Sequence, residues 1–151
     1  MANTQAIAAS FKAEILKGIH ALGTSVVRAG TGADTIKAAL YLASATVNST
    51  TTVYSTTDEV SGTGYTPGGL TVTNANQPAY TGAVAYWTPS ANLTWNTTTL
   101  ATAFDCVLLY NSTQGNKAIG SWVFGSQTIT AGNFSINMPV NDSSTGLIRL
   151  N

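Results

Sequence analysis

The sequence predicts a mainly β protein: an antiparallel, jelly-roll-like β-sandwich with one N-terminal amphipathic α-helix. After Gly23 the apolar residues change from a helical spacing to an alternation of period 2. Turn residues, chiefly glycine, proline and asparagine, separate the alternating stretches, and no helical pattern lies between them. Strands spaced in this way favour an antiparallel sandwich over a βαβ fold.

The N-terminal helix is expected over residues 5–22. Thr4 is a candidate N-cap and Gly23 a candidate C-terminal stop, whereas Gly18 inside the run weakens the helix by roughly 1 kcal/mol relative to alanine. Residues 1–23 are expected to pack on the sandwich itself or on a partner. The apolar stripe, with spacings of three and four, consists of Ile7, Phe11, Ile15, Ile19 and Leu22.

About eight short strands are expected after the helix. The clearest covers residues 35–42, where Ile36, Ala38 and Leu40 share one face. With no linker in the sequence, residues 1–151 are expected to form a single domain, long enough to bury roughly 68–70% of the unfolded chain's surface. The other strands are expected at 69–73, 82–88, 92–95, 101–110, 117–124, 133–138 and 145–150.

Charged residues are rare in this chain. They make up 8% of it, against about 25% in typical soluble domains, and six basic residues balance six acidic ones. Neither nucleic acid nor a membrane is therefore expected as a partner, while self-association is favoured because little charge repulsion keeps copies apart. Neither a signal peptide nor an 18-residue apolar segment is seen, so folding in a cytoplasm is expected.

No catalytic, cofactor-binding or metal-binding residues are expected, and the chain is predicted not to be an enzyme. His20 is the only histidine, and Cys106, the only cysteine, is expected to be an inert core thiol. Patterns for phosphate loops, dinucleotide sites, zinc sites and EF-hands are missing from the sequence. An enzyme would need His20, Asp58, Glu59 or Asp105 to converge in a cleft.

The stretch between Val60 and Phe104 has no charged residue, although it holds three tyrosines and two tryptophans. Either its strands are buried on both faces, or it contacts another chain, because charge depletion and aromatic residues mark the centres of protein interfaces. The tryptophans, Trp122 included, are assigned to the core. The second interpretation places the contact here and on a surface arm at residues 44–57, through Tyr65, Tyr80, Tyr86, Val53 and Tyr54.

Several blocks of sequence occur in a characteristic order: residues 10–20, 34–40 and 59–69, then Trp95, Leu109-Tyr110, Gly115-Asn116 and 146–150. In these blocks the chain resembles a family of small virion structural proteins encoded beside the head genes of tailed bacteriophages. The resemblance implies a capsid-associated β-sandwich, a decoration or cement protein, bound as a dimer or trimer outside the lattice of the major capsid protein. It implies no catalytic residue.

The expected function is that of a capsid decoration or cement subunit. Many copies would bind lattice positions that exist only after capsid expansion, and would stabilise the phage head by bridging neighbouring capsomers. Such a protein is assembled in the bacterial host cytoplasm and resides on the exterior of the virion head. The alternative is a host-recognition or carbohydrate-binding β-sandwich on a phage tail or fibre, with exposed aromatic rings stacking on sugars.

Overall fold

The computed structural model describes residues 2–16, 18–24 and 32–151. This part of the chain is mainly β, with two antiparallel sheets and one short helix, which confirms the predicted class. A jelly-roll topology is not confirmed. The elements are β1 (Ala6–Ile7), α1 (Ala9–Leu16), β2 (Ile36–Leu42), β3 (Leu70–Thr71), β4 (Ala79–Thr81), β5 (Val84–Trp87), β6 (Leu93–Asn111), β7 (Lys117–Ile136) and β8 (Ile148–Leu150).

The first sheet has five strands in the order β1-β7-β6-β2-β3. Its main part is one long hairpin in which β6 pairs with β7 from Leu93↔Ile136 to Asn111↔Lys117. Four short strands were expected in this region, at residues 92–95, 101–110, 117–124 and 133–138. That prediction is wrong, because residues 96–100 and 125–132 do not form turns. They continue two long strands, and the register between these strands shifts there.

Strand β2 is the buried centre of the fold. Its residues Ala38, Ala39 and Leu40 are all 0% exposed, so both faces of the strand are covered. One edge of β2 pairs with β6, and the other pairs with β3 and with residues 58–60. The strand predicted at residues 35–42 is confirmed, although it is buried on both faces rather than on one.

The second sheet has the order β4-β5-β8. Strands β4 and β5 form a hairpin whose two turn residues are Gly82 and Ala83, and Gly82 adopts the positive φ of 61° that such turns favour. Trp87 of β5 and Ile148 of β8 are buried and join the core that contains Phe11 of α1. Strands β1 and β4 were not predicted.

The helix is shorter than expected. It ends after Leu16, and Gly18, with a φ of 69°, donates its N–H to the carbonyl of Ile15. The predicted four-turn helix over residues 5–22 is therefore wrong, because Gly18 stops it and residues 6–7 pair with β7 instead. Within the described ranges, no helix has the length and hydropathy needed to cross a membrane.

Candidate protein-contact surface

The β4–β5 hairpin presents an uncharged surface. All three residues of β4 are exposed, and Tyr80 is 79% exposed. Tyr86, opposite Ala79 on β5, is half-buried and lines an apolar cavity of about 230 Å³ together with Phe11 and Trp87. Tyr80 is thus the predicted contact residue whose ring is most accessible to a partner.

The charge-free stretch between Val60 and Phe104 lies largely at the surface. Strand β4 is fully exposed, β5 alternates, and the first half of β6 buries one face and exposes the other. The interpretation that these strands are buried on both faces is therefore wrong. The other interpretation, contact with another chain, is consistent with the extended, exposed and uncharged surface that these strands form.

Tyr65 does not belong to that surface. It is 8% exposed and lies in the core, so its prediction as a contact residue does not fit its position. Its hydroxyl accepts a hydrogen bond from the Leu40 N–H at 3.0 Å and donates one to Glu59 Oε1 at 2.7 Å. The Tyr65 hydroxyl therefore takes the place of a strand carbonyl as the acceptor for the Leu40 N–H at the edge of β2.

Glu59 is the centre of a tyrosine cluster. Besides the bond from Tyr65, its carboxylate accepts the hydroxyl of Tyr54 at 2.6 Å and the N–H of Gly68 at 2.7 Å. Tyr54 stacks on Tyr110, with 4.5 Å between ring centroids. Burial, together with the hydrogen bonds to Glu59, raises the pKa of both Tyr54 and Tyr65, so these phenols stay protonated as donors. No signal in the sequence paired Glu59 with these tyrosines.

The run at residues 44–57 is a long loop that lies mostly at the surface, as expected, but it is anchored to the rest of the fold at several residues. Ala45 and Val47 are buried, and Val53 pairs with Lys117 at the edge of β7. The side chain of Val53 is nevertheless 48% exposed, whereas Tyr54 is half-buried against Tyr110. The predicted contact residues therefore fall into two regions: Val53, Tyr54 and Tyr65 near this run, and Tyr80 and Tyr86 on the second sheet.

His20 belongs to a closed polar network. Its side chain is 1% exposed, with Nε2 2.7 Å from Glu14 Oε2 and Nδ1 3.1 Å from Asn111 Nδ2. Asn111 Nδ2 also donates to Asp34 Oδ2 at 2.8 Å, so it acts as donor toward His20. Nδ1 is then an acceptor and the Nε2–H donates to Glu14. Both ring nitrogens are occupied, and the arrangement holds the segment after α1 onto β6.

No family model, no curated protein and no solved structure matches this chain. Its function is therefore inferred from the residues themselves. Within the described ranges, no three His, Cys, Asp or Glu side chains lie close enough together to hold a metal ion. Cys106 is 0% exposed, and burial, aided by the charge of Asp105, raises the pKa of its thiol to about 12. The expected burial of this thiol is confirmed.

A small cleft of about 290 Å³ lies beside the charge-free surface. Trp95 lines it and is 4% exposed, and its indole N–H has no hydrogen-bond partner among the residues described. The cleft carries hydroxyl, amide and backbone groups without a charge, so its polarity suits a neutral polar molecule. The other lining residues are Gly64, Thr66, Gly69, Leu70, Thr94 and Asn96.

Glu14 makes folding stability depend on pH. Burial alone would raise the pKa of Glu14, but the hydrogen bonds and positive charge of Lys117 and the hydrogen bond with His20 outweigh it and hold the pKa below its ordinary value. The unfolded chain therefore binds a proton more readily than the folded one. The stabilisation by Glu14 is present above about pH 5 and is lost as the pH falls through the folded pKa.

We expect Glu14→Gln to flatten this acid dependence. Urea unfolding of both proteins between pH 7 and roughly pH 3 should show the free-energy advantage of the native chain shrinking toward acid. Asp142, whose pKa is lowered by hydrogen bonds from Thr145 and Ser144, titrates in the same direction but is present in both proteins, so its effect cancels in the difference. Parallel pH profiles for the two proteins would contradict the assignment.

Proposed function

We propose that this chain is a virion structural protein, a non-enzymatic β-sandwich of jelly-roll type that decorates or cements a bacteriophage capsid. It binds the major capsid protein on the exterior of the head as a dimer or trimer, after assembly in the bacterial host cytoplasm. Binding to the expanded lattice bridges neighbouring capsomers. The proposal involves no cofactor, nucleic acid or membrane.

The exposed charge-free stretch is the observation that carries this proposal. Interfaces are depleted of charge and enriched in aromatic residues at their centres, and here such a stretch is presented to solvent on β4, β5 and β6. Tyr80 stands out of it as a single exposed ring. Repeated copies of a modest contact bind a lattice strongly because each added contact is intramolecular.

The polar side chains support the same conclusion. Glu59 is occupied by tyrosine hydroxyls, Glu14 by Lys117 and His20, and Asp105 by the amide of Asn3 at 2.6 Å. These groups hold segments of the chain together rather than pointing into a shared cavity. A protein that adheres through surface complementarity requires only this structural role of its buried carboxylates.

Tyr80→Ala is expected to weaken capsid binding without changing the fold. A protruding tyrosine at an interface centre contributes roughly 2 kcal/mol or more, which corresponds to about a thirtyfold loss of affinity. Removing a side chain that is 79% exposed should change the free energy of unfolding by less than about 0.5 kcal/mol. Co-sedimentation of the purified protein with expanded capsids that lack it measures the affinity.

Val140→Ala is the matched control. Val140 is also exposed, at 69%, but lies outside the charge-free stretch, so its loss should leave binding unchanged. Equal affinities for the Tyr80 and Val140 variants would place the contact elsewhere. Absence of the protein from the heads of purified virions would sink the proposed function as a whole.

A carbohydrate-binding or host-recognition module on a tail or fibre is the second candidate. The uncharged cleft lined by Thr94 and Asn96 favours it, because its hydroxyl, amide and backbone groups suit the hydroxyls of a neutral sugar. Tyr80 would add an exposed ring for stacking. Binding of the isolated protein to a glycan array, lost in Asn96→Ala and kept in Val140→Ala, would support this candidate over the capsid.

A further inference from the structure

One edge of β7 is covered only along its first part. Residues 52–54 pair with Asn116 to Ala118, and β1 pairs with Gly120 and Ser121. The Ala8 N–H donates to the carbonyl of Ile119 between them. From Val123 to Ile136, no residue in the described ranges pairs with this edge, so β7 has β6 as its partner on one side alone.

The unpaired segment, residues 123–136, lacks two features that usually protect a sheet edge from pairing with another strand: charged residues and proline. Natural edge strands are normally kept from pairing by lysine, proline, bulges or short length, because unpaired backbone groups are a template for another strand. Four register shifts between Val123 and Phe134 interrupt the edge, and they leave its last three residues regular.

The end of the segment is regular. Phe134, Ser135 and Ile136 pair in constant register with β6, and Ser135 is exposed while Phe134 and Ile136 are half-buried. Phe134 also belongs to an aromatic group with Phe124, 5.2 Å away between ring centroids. The edge thus offers backbone hydrogen bonds together with apolar side chains that are incompletely covered.

We propose that this edge pairs with the same edge of a second copy of the chain, antiparallel about a two-fold axis, so that the first sheet continues across two subunits. Antiparallel pairing lets each strand satisfy the other's free N–H and C=O groups. The half-buried rings of the two copies then cover one another. The inference deepens the proposed function, and it selects a dimer as the unit that decorates the capsid.

Charge is the argument for a second copy as the occupant. With the two-fold axis at Ser135, in the middle of the regular end, Ser135 faces its own copy and Phe134 faces Ile136, so a charged residue at the axis would face a like charge and oppose pairing. This segment has none, and the whole chain carries no net charge to keep copies apart. An edge selected for a basic or acidic partner strand would carry the complementary charge.

Sedimentation velocity of the full chain, without capsids, tests the pairing. We expect a concentration-dependent dimer whose dissociation constant rises about fivefold or more in Ser135→Lys, because two lysines then approach each other across the axis. The matched control is Thr71→Lys, an exposed position on β3 at the opposite edge of the same sheet, which should dimerise like the native chain. Circular dichroism verifies that both variants fold.

Hydrogen exchange identifies the contact independently. On dimerisation, the amides of residues 133–136 should exchange more slowly. A chain that stays monomeric at every concentration would overturn the inference, as would equal effects of the two lysines or a dimer in which these amides stay unprotected. Binding of a monomer to capsids would refute the edge pairing and the oligomeric state, while leaving capsid decoration itself standing.

Discussion

Replacing Tyr65 by alanine is expected to lower the free energy of unfolding by about 3–5 kcal/mol. The substitution leaves a cavity beside β2 and removes the hydroxyl that satisfies the buried N–H of Leu40 and one bond to Glu59. This is a far larger effect than that of Tyr80→Ala. The two tyrosines, which looked equivalent in sequence, therefore differ by several kcal/mol in stability.

Tyr65→Phe separates the two causes. It keeps the ring and removes only the hydroxyl, so it should cost about 1–3 kcal/mol, the penalty for an unsatisfied buried group. Urea unfolding gives the free energies, and amide exchange at Leu40 reports the lost bond directly. If Tyr65→Ala proved as stable as Tyr80→Ala, the role of Tyr65 at the edge of β2 would be wrong.

Asn111→Leu is expected to destabilise the fold by roughly 3 kcal/mol. Asn111 is 0% exposed, and its amide donates to both Asp34 and His20, while its Oδ1 accepts the Gln114 N–H at 3.2 Å. Leucine fills a similar volume but makes none of these bonds. Buried polar groups would then lose their partners in an environment that water reaches poorly.

Ser112→Ala is the control, because it removes a hydrogen bond at the same end of β6 but at an exposed site. Ser112 follows Asn111 and donates its hydroxyl to the Thr35 carbonyl at 2.9 Å, but at an exposed site where water can replace the bond. We expect a loss of less than about 1 kcal/mol. Thermal and urea unfolding of both variants should rank them in this order, and comparable losses would mean that the network at Asn111 contributes little.

Strand positions were predictable wherever apolar residues recur at every second position in the sequence. The alternation around Leu40 located β2 to within a residue, and the strands near Trp87 and Ile148 were found with longer bounds than the structure has. Bulges hide the rest, since a residue such as Ala131, with a φ of 46°, continues a strand that Gly132 seemed to end. The helix was overextended because its apolar spacing continues past the stop at Gly18.

The contact surface was only partly predictable. Absence of charge marks both interfaces and doubly buried strands, so composition alone could not place Tyr80 outside and Tyr65 inside. The partners of Tyr65 lie 25 and 6 residues earlier in the chain, at separations that no local pattern records. The network at Asn111 is likewise assembled from distant positions, one of them 91 residues away at His20.

The placement of β1 also has a kinetic consequence. Ala6 pairs with Ser121, and Asn3 bonds to Asp105, 102 residues later, so these residues find their partners only after a long further stretch of chain has been synthesised. Loop closure over such separations slows folding. We expect β1 to dock on β7 late in folding. Until it does, the edge of β7 that β1 covers is free to pair with other chains.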